Sequence, residues 1–258
     1  MDMITPILLN RFRALLSEWL ADALPGEAPQ GLHWCLAPVI KPARYLGQDG
    51  SVAGVEGDAP PALPVRLWLG GKTVFHHPLP SEGDIHRHDL TESVVMKQGR
   101  SGVFAVVTVK SAFSLSGSVL ITDRKQIAFC SAPVPAMQQA STPDVTFSPL
   151  PRHRGFRADR HLLFQYAALT MNSHRIHLEG MLDGRLPVVQ GPLIATVLLN
   201  ECVRRMPASL SCFEYRLQKS LSCDEDAVID VHADGAGVLI GRLCLPAGNE
   251  TLATFRAC

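Results

Sequence analysis

Asn172-Ser173-His174-Arg175-Ile176-His177 set an amide, a hydroxyl, two imidazoles and a guanidinium side by side in six positions. An imidazole titrates near neutral pH, so it can take a proton and return it. An Asn amide can orient a water or hold a carbonyl. Fourteen residues after His177, Gly191-Pro192 opens an apolar run. The first N–H groups of a helix lack intrahelical acceptors and lie at the positive end of its dipole. Gly191 therefore offers a donor to an oxygen that gains charge, and its missing side chain lets a carbonyl approach closely. The set reads as a base (His177), a water- or carbonyl-holding amide (Asn172) and an oxyanion donor (Gly191). Residue types alone favour a plainer reading, a solvated loop followed by a helix cap.

A second polar group is Lys97-Gln98-Gly99-Arg100-Ser101-Gly102. Two cations around Gly and Ser can hold phosphates, or can form an ordinary solvated hairpin turn. The pairs His76-His77 and His86-His88 lack a third ligand at zinc spacing, so no metal is expected. Seven scattered cysteines without a CxxC pair read as reduced core thiols. With no signal-peptide pattern, they predict a cytoplasmic protein. There is no GxSxG, Walker loop or GxGxxG.

The elements that must position these groups follow from composition and periodicity. The chain has 258 residues, 47% hydrophobic and 19% charged, which is globular composition and argues against disorder. Lys plus Arg equals Asp plus Glu at 24 each, without the basic excess that a nucleic-acid partner calls for. No apolar run reaches the roughly 18 residues of a membrane span. Residues 7–24 predict one amphipathic helix, stopped by Pro25-Gly26, and 25–64 an ordered Gly/Pro-rich excursion. From 65 to 132 come short β-branched runs, with Gly70-Gly71 as a turn between the first two. Five prolines between 133 and 151 mark a boundary. The division is 1–135, a linker at 136–151, and 152–258. In the last part a helix over about 192–206 is apolar nearly all round, and strands follow it. A buried helix wrapped by an antiparallel sheet is α+β organisation.

The run FQYAALTMNSHRIHLEG, followed by PVVQGPLIATVLLN, resembles the MaoC-like double hot-dog acyl-coenzyme A hydratases, in the branch that handles mesaconyl-C4- and itaconyl-coenzyme A. LGQDGS, PPALPVRLWLGG and VMKQGRSGVFAVVTV are similar to that branch's N-terminal domain, so the resemblance spans roughly 30–258. It implies two hot-dog domains in one chain, each a helix wrapped by an antiparallel sheet, with one active site in the second. It maps the family's acid/base pair onto Asn172 and His177, with Asn where the wider family has Asp, and the oxyanion glycine onto Gly191. Gln190 stands where the branch has His. The activity implied is reversible addition of water to a short unsaturated dicarboxylic acyl-coenzyme A, itaconyl- or mesaconyl-C4-coenzyme A giving citramalyl-coenzyme A. No cofactor is needed beyond the coenzyme A of the substrate, and a homodimer or higher homo-oligomer is expected. Arg175 is the nearest cation for the distal carboxylate, with a structural ion pair as its alternative role and Arg66 and Arg100 next in line. Lys97 and Arg100 are expected near the coenzyme A phosphates, and Tyr166 joins the substrate-binding set. The rival readings are a 3-hydroxyacyl-thioester dehydratase of fatty-acid metabolism and a non-catalytic acyl-thioester-binding subunit.

Overall fold

The structure is a computed structural model. It describes residues 1–47, 49–52, 63, 65–99, 102–131, 154–179, 186–206, 210–234, 236–246 and 250–258. The 136–151 linker and Arg100 lie outside these residues.

One ten-stranded sheet organises the described residues. In chain order its strands are β1 (Asp2–Ile4), β2 (Val65–Phe75), β3 (Gly83–Gly99), β4 (Gly102–Leu115), β5 (Ser118–Cys130), β6 (Arg154–Phe156), β7 (Cys212–Leu217), β8 (Ala227–Ala233), β9 (Leu239–Cys244) and β10 (Thr251–Ala257). The spatial order is β1-β3-β4-β5-β2-β7-β10-β9-β8-β6, with every pairing antiparallel. The first five strands in space come from the first half of the chain and the last five from the second, joined where β2 pairs β7.

That junction explains a difference from the sequence reading. Gly70-Gly71 does not turn; β2 runs straight through it, with a register shift between Trp68 and Gly70. A Cβ on Gly70 would stand 2.3 Å from the Tyr215 carbonyl oxygen, and one on Gly71 2.6 Å from that of Arg124. The glycines let β7 and β5 close on β2 from both sides. For a related reason, SVLITDR and QIAFCSA form one strand rather than two. Lys125, which interrupts the apolar pattern, is itself buried.

Among the described residues three α-helices lie against the sheet: α1 (Pro6–Leu16), α2 (Arg160–Thr170) and α3 (Gly191–Val203). Thr5 caps α1 by accepting the Leu8 N–H, with Pro at the first position, where its missing N–H costs nothing. The helix stops at Leu16, short of the expected Leu24. The backbone groups that would continue it are taken by tertiary partners: Arg154 takes the Glu18 carbonyl, Arg204 the Leu20 carbonyl at 2.7 Å, and Asn200 Oδ1 the Ala21 N–H at 3.0 Å.

Every residue of α3 except Pro192 is buried. Its polar groups are satisfied, as burial demands. Thr196 Oγ1 donates to the Pro192 carbonyl, Asn200 Nδ2 to the carbonyls of Gln30 and Thr196, and Glu201 accepts from Arg204 and Arg205. Leu193, Leu198 and Leu199 join Phe12 of α1, Leu163 of α2, Phe113 and Ile121 of the first half and Phe213 and Phe255 of the second in one core. Among the described residues no helix is long and apolar enough to cross a membrane.

Candidate active site

The Asn172–His177 segment is shaped by the end of α2. Asp159 caps the helix start by accepting the Leu162 N–H at 2.8 Å. At the other end Met171 turns into the left-handed region (φ 50), and the Asn172 N–H closes back on the Ala167 carbonyl at 2.9 Å. Asn172 Oδ1 then accepts the His174 N–H at 3.1 Å. This side-chain turn is the one short Asx residues make, and it leaves the amide nitrogen as the group Asn172 can present. A 3-10 turn over Arg175–His177 follows.

The tautomer of His177 follows from its partner. Nδ1 lies 2.7 Å from the Val188 carbonyl oxygen, which can only accept. Nδ1 therefore carries the proton, and Nε2 presents its lone pair. Enclosure in the protein lowers the His177 pKa to about 4. The Val188 bond opposes that shift, and the charges of His174 and Arg66 add to it. At neutral pH the ring is thus a neutral base.

Gly191 starts α3. The first helical hydrogen bond runs from the Ile194 N–H to the Gln190 carbonyl, and Pro192 has no N–H, so Gly191 and Leu193 carry the early donors. A Cβ on Gly191 would come to 3.0 Å from Trp68 Cγ and from Leu217 Cδ1, which makes glycine the residue that fits between β2 and β7. Gln190 is fully buried, and its Nε2 donates to the Leu163 carbonyl at 2.8 Å. Where the branch resemblance puts a second imidazole, this chain has a tie between the starts of α2 and α3.

Asn172, His174, His177 and Gly191 all line one cavity of about 480 Å³. The first half supplies the facing wall, with Trp34, Arg66, Trp68, Arg87 and Lys125. Of the other residues singled out in the sequence, Arg175 does not line the cavity. Its guanidinium is half exposed and bound to Glu179 (Nε to Oε2, 2.7 Å), the alternative role allowed for it above. Lys97 is exposed on β3, away from the cavity, and Tyr166 is fully buried in the core. His76 and His77 follow β2, and among the described residues no three His, Cys, Asp or Glu are grouped to hold a metal ion.

Sequence reasoning missed Lys125, Arg87 and the tryptophans as wall residues. Trp34 and Trp68 lie in apolar runs and read as core. Lys125 Nζ lies 5.7 Å from the Trp68 ring centroid, an arrangement that favours a cation, but no local pattern announces it.

A helix sheathed in antiparallel strands thus brings a neutral imidazole, an amide and a helix N-terminus around one cavity. The chain matches the model of the hydroxyacyl-thioester dehydratase type 2 family over residues 31–223. It is 30% identical over 230 residues to the mesaconyl-C(4)-CoA hydratase of Chloroflexus aurantiacus, covering 80% of this chain and 79% of that protein. Among solved structures it is similar to HtdX of Mycobacterium tuberculosis, with TM-score 0.70, 14% identity and coverage of 100% and 97%. It is also similar to a MaoC-like dehydratase from Phytophthora capsici, with TM-score 0.67, 12% identity and coverage of 100% and 94%. A third is a Mycobacterium tuberculosis protein with a double hot-dog fold, with TM-score 0.57, 15% identity and coverage of 100% and 94%. The chain belongs to the hydroxyacyl-thioester dehydratase type 2 family and has the α+β double hot-dog fold; it is an acyl-CoA hydratase/dehydratase.

The buried imidazoles also set the acid stability. Burial pulls His33 down to about 3 and His177 to about 4, and lowers His174. In the unfolded chain these rings take protons near pH 6.5, and the folded chain binds them only further down. The unfolded state therefore binds more protons between about pH 6.5 and 3, and stability falls as pH falls through that window. Asp49 and Asp89, held below the ordinary carboxylate value, act in the same direction lower in the window, while the raised Asp123 carboxyl opposes them. We expect the urea midpoint at pH 4.5 to lie well below that at pH 7.5. Equal midpoints would contradict burial of these rings as neutral species.

Proposed function

We propose that the enzyme adds water reversibly to the carbon–carbon double bond of a short unsaturated dicarboxylic acyl-coenzyme A, of the mesaconyl-C4 or itaconyl type, giving citramalyl-coenzyme A. With a mesaconyl-C4 thioester His177 Nε2 takes a proton from water as the water oxygen attacks the β-carbon, and returns a proton to the α-carbon; an itaconyl thioester, whose double bond joins the β-carbon to a methylene, would first move a proton from its α-carbon to that methylene and so become the mesaconyl isomer. The Asn172 amide holds the water. The Gly191 N–H meets the thioester oxygen as it gains enolate charge.

The observation that carries the dicarboxylate is Arg66. In a mesaconyl-C4 thioester the free carboxylate sits on the β-carbon, the atom that water attacks, so its partner must stand close to the base. Arg66 lines the cavity, and its charge is felt at both His177 and His174. A guanidinium binds a carboxylate through paired, charge-assisted hydrogen bonds. Glu250 is the acidic residue among the described lining, and Lys219 neutralises it at 2.5 Å. On this reading Arg66 is the cation that meets the carboxylate.

The test follows absorbance at the thioester with mesaconyl-C4-, itaconyl- and crotonyl-coenzyme A. The dicarboxylic substrates are expected to be hydrated with the higher kcat/KM. A preference for crotonyl- or longer enoyl-coenzyme A would overturn the reading in favour of a dehydratase of 3-hydroxyacyl thioesters. No turnover of any acyl-coenzyme A, together with retained binding, would leave an acyl-thioester-binding subunit.

A further inference from the structure

None of the residues from Met171 to His177 is fully buried. Hydrophobic burial therefore does not fix the segment that carries the base, and its polar bonds must. Several of them come from the first half of the chain. Residues 49–51 lie against the segment although Gly50 and Ser173 are 123 positions apart. The Asp49 carbonyl accepts the Arg175 N–H at 2.7 Å, and the Gly50 carbonyl accepts the Ser173 hydroxyl at 2.5 Å. Asp49 Oδ2 lies 3.3 Å from His174 Nε2. The contact is tight: Gly50 has φ +79, and a Cβ there would come to 2.2 Å from the Ser173 carbonyl oxygen.

Both nitrogens of His174 are committed. Nδ1 accepts the Ile176 N–H at 3.2 Å, so Nε2 carries the proton and donates to Asp49. The other carboxylate oxygen, Oδ1, accepts from Ser51 through its N–H at 2.9 Å and its hydroxyl at 2.7 Å. Burial pushes the Asp49 carboxyl up, but the Ser51 bonds, helped by the nearby Arg66 charge, outweigh it and hold it below the ordinary carboxylate value. His174 lines the cavity, with its ring 5.7 Å from that of His177, yet it has no nitrogen left for proton transfer.

We propose that Asp49 is a positioning residue that acts through His174: the pair straps the Asn172–His177 segment to the first half and so holds His177 Nε2 and the Asn172 amide in register with the Gly191 N–H. The proposal rests on His177 being the acid/base of the hydratase. The first half then completes the site through the loop as well as through the cavity wall. Asp49 itself does not line the cavity, so its effect should appear in turnover rather than in binding.

In the full chain, Asp49→Ala should lower kcat about tenfold or more, since a misplacement on the order of 1 Å suffices for that, while KM changes less than about threefold. Asp49→Asn keeps one oxygen, enough for His174 Nε2–H but not also for Ser51, and should recover part of kcat. Gly50→Ala, which changes no charge, should reproduce the kcat loss. A second measurement is independent of activity. The Ile176 amide depends on the His174 ring for its acceptor, so its hydrogen exchange in Asp49→Ala should quicken at least about tenfold. Wild-type turnover in Asp49→Ala, or a loss confined to KM, would overturn the strap. So would unchanged Ile176 exchange, even in a protein that hydrates none of the acyl-coenzyme A substrates tried. That last result on its own would sink the hydratase reading and leave the strap to be decided by exchange.

Discussion

His177→Ala is expected to lower kcat by at least ~100-fold with the fold retained, the usual scale for losing a general acid–base group. The substitution removes Nε2, the one lone pair of that ring not used within the protein, because Nδ1 is spent on the Val188 carbonyl at 2.7 Å. It leaves that carbonyl without its donor, a cost of about 1–3 kcal/mol if the carbonyl stays buried. The fold should bear this. The main core is built from α1, α2, α3 and both halves of the sheet, and His177 belongs to none of its clusters. The measurements are single-turnover rates with the preferred acyl-coenzyme A and a circular-dichroism melt. Near-normal turnover in a folded His177→Ala would remove His177 from the mechanism. The folded ring titrates at about 4, so wild-type kcat/KM should stay flat from neutral pH down to near that value and fall below it as the base is protonated. Acid unfolding must be tracked in parallel, because the same burial destabilises the fold over the same range.

How much of this was legible in the sequence depends on whether the signal was local. Helix α3 was legible because a run apolar on every side fits only a buried helix, and the observed Gly191–Val203 falls within a few residues of the expected 192–206. Strands β7 to β10 were legible from short runs between polar breaks. The end of α1 was not, because Arg154, Asn200 and Arg204 reach it from more than 130 positions away and take its backbone groups. Gly70-Gly71 reads as a turn in any window of ten residues, and its real role appears only once β5 and β7 flank it. The chemistry divides in the same way. Asn172, His177 and Gly191 lie close in sequence and meet at the cavity. The wall they face comes from β2, β3, β5 and the turn that carries Trp34, and Asp49 from a loop whose sequence carries no sign of His174. Sequence proximity also made Arg175 the first cation for the carboxylate, but a 3-10 turn carries it outward to Glu179.

Arg66→Met should cut the preference for a dicarboxylic substrate over crotonyl-coenzyme A by about 10- to 100-fold, mainly by losing the dicarboxylate. Hydrogen bonds to a charged partner are worth about 1.5–3 kcal/mol net, and about 1.4 kcal/mol is a factor of ten. Arg66 sits on β2 two residues before Trp68, on the same face, and Trp68 abuts Gly191. One pleat, about 7 Å, therefore separates the guanidinium's strand position from the residue beside Gly191, the proposed oxyanion donor. That is the span expected between a thioester oxygen and a carboxylate on its β-carbon once the long Arg side chain folds back toward the base. Crotonyl-coenzyme A carries a methyl at that carbon and offers the cation no carboxylate, so the difference between the substrates should be small once Arg66 is gone. Met fills similar space without charge, which separates lost recognition from a collapsed wall. Removing the cation should also raise the His177 pKa, because Arg66 is one of the charges holding it down, and the acid limb of kcat/KM should move to higher pH. Arg175→Met is the internal control: its partner is Glu179 and it does not line the cavity, so the substrate ratio should not change. If Arg66→Met keeps the wild-type ratio while the acid limb still moves, Arg66 stands beside the base but does not read the carboxylate, and Lys125 or Arg87 on the same wall takes that role.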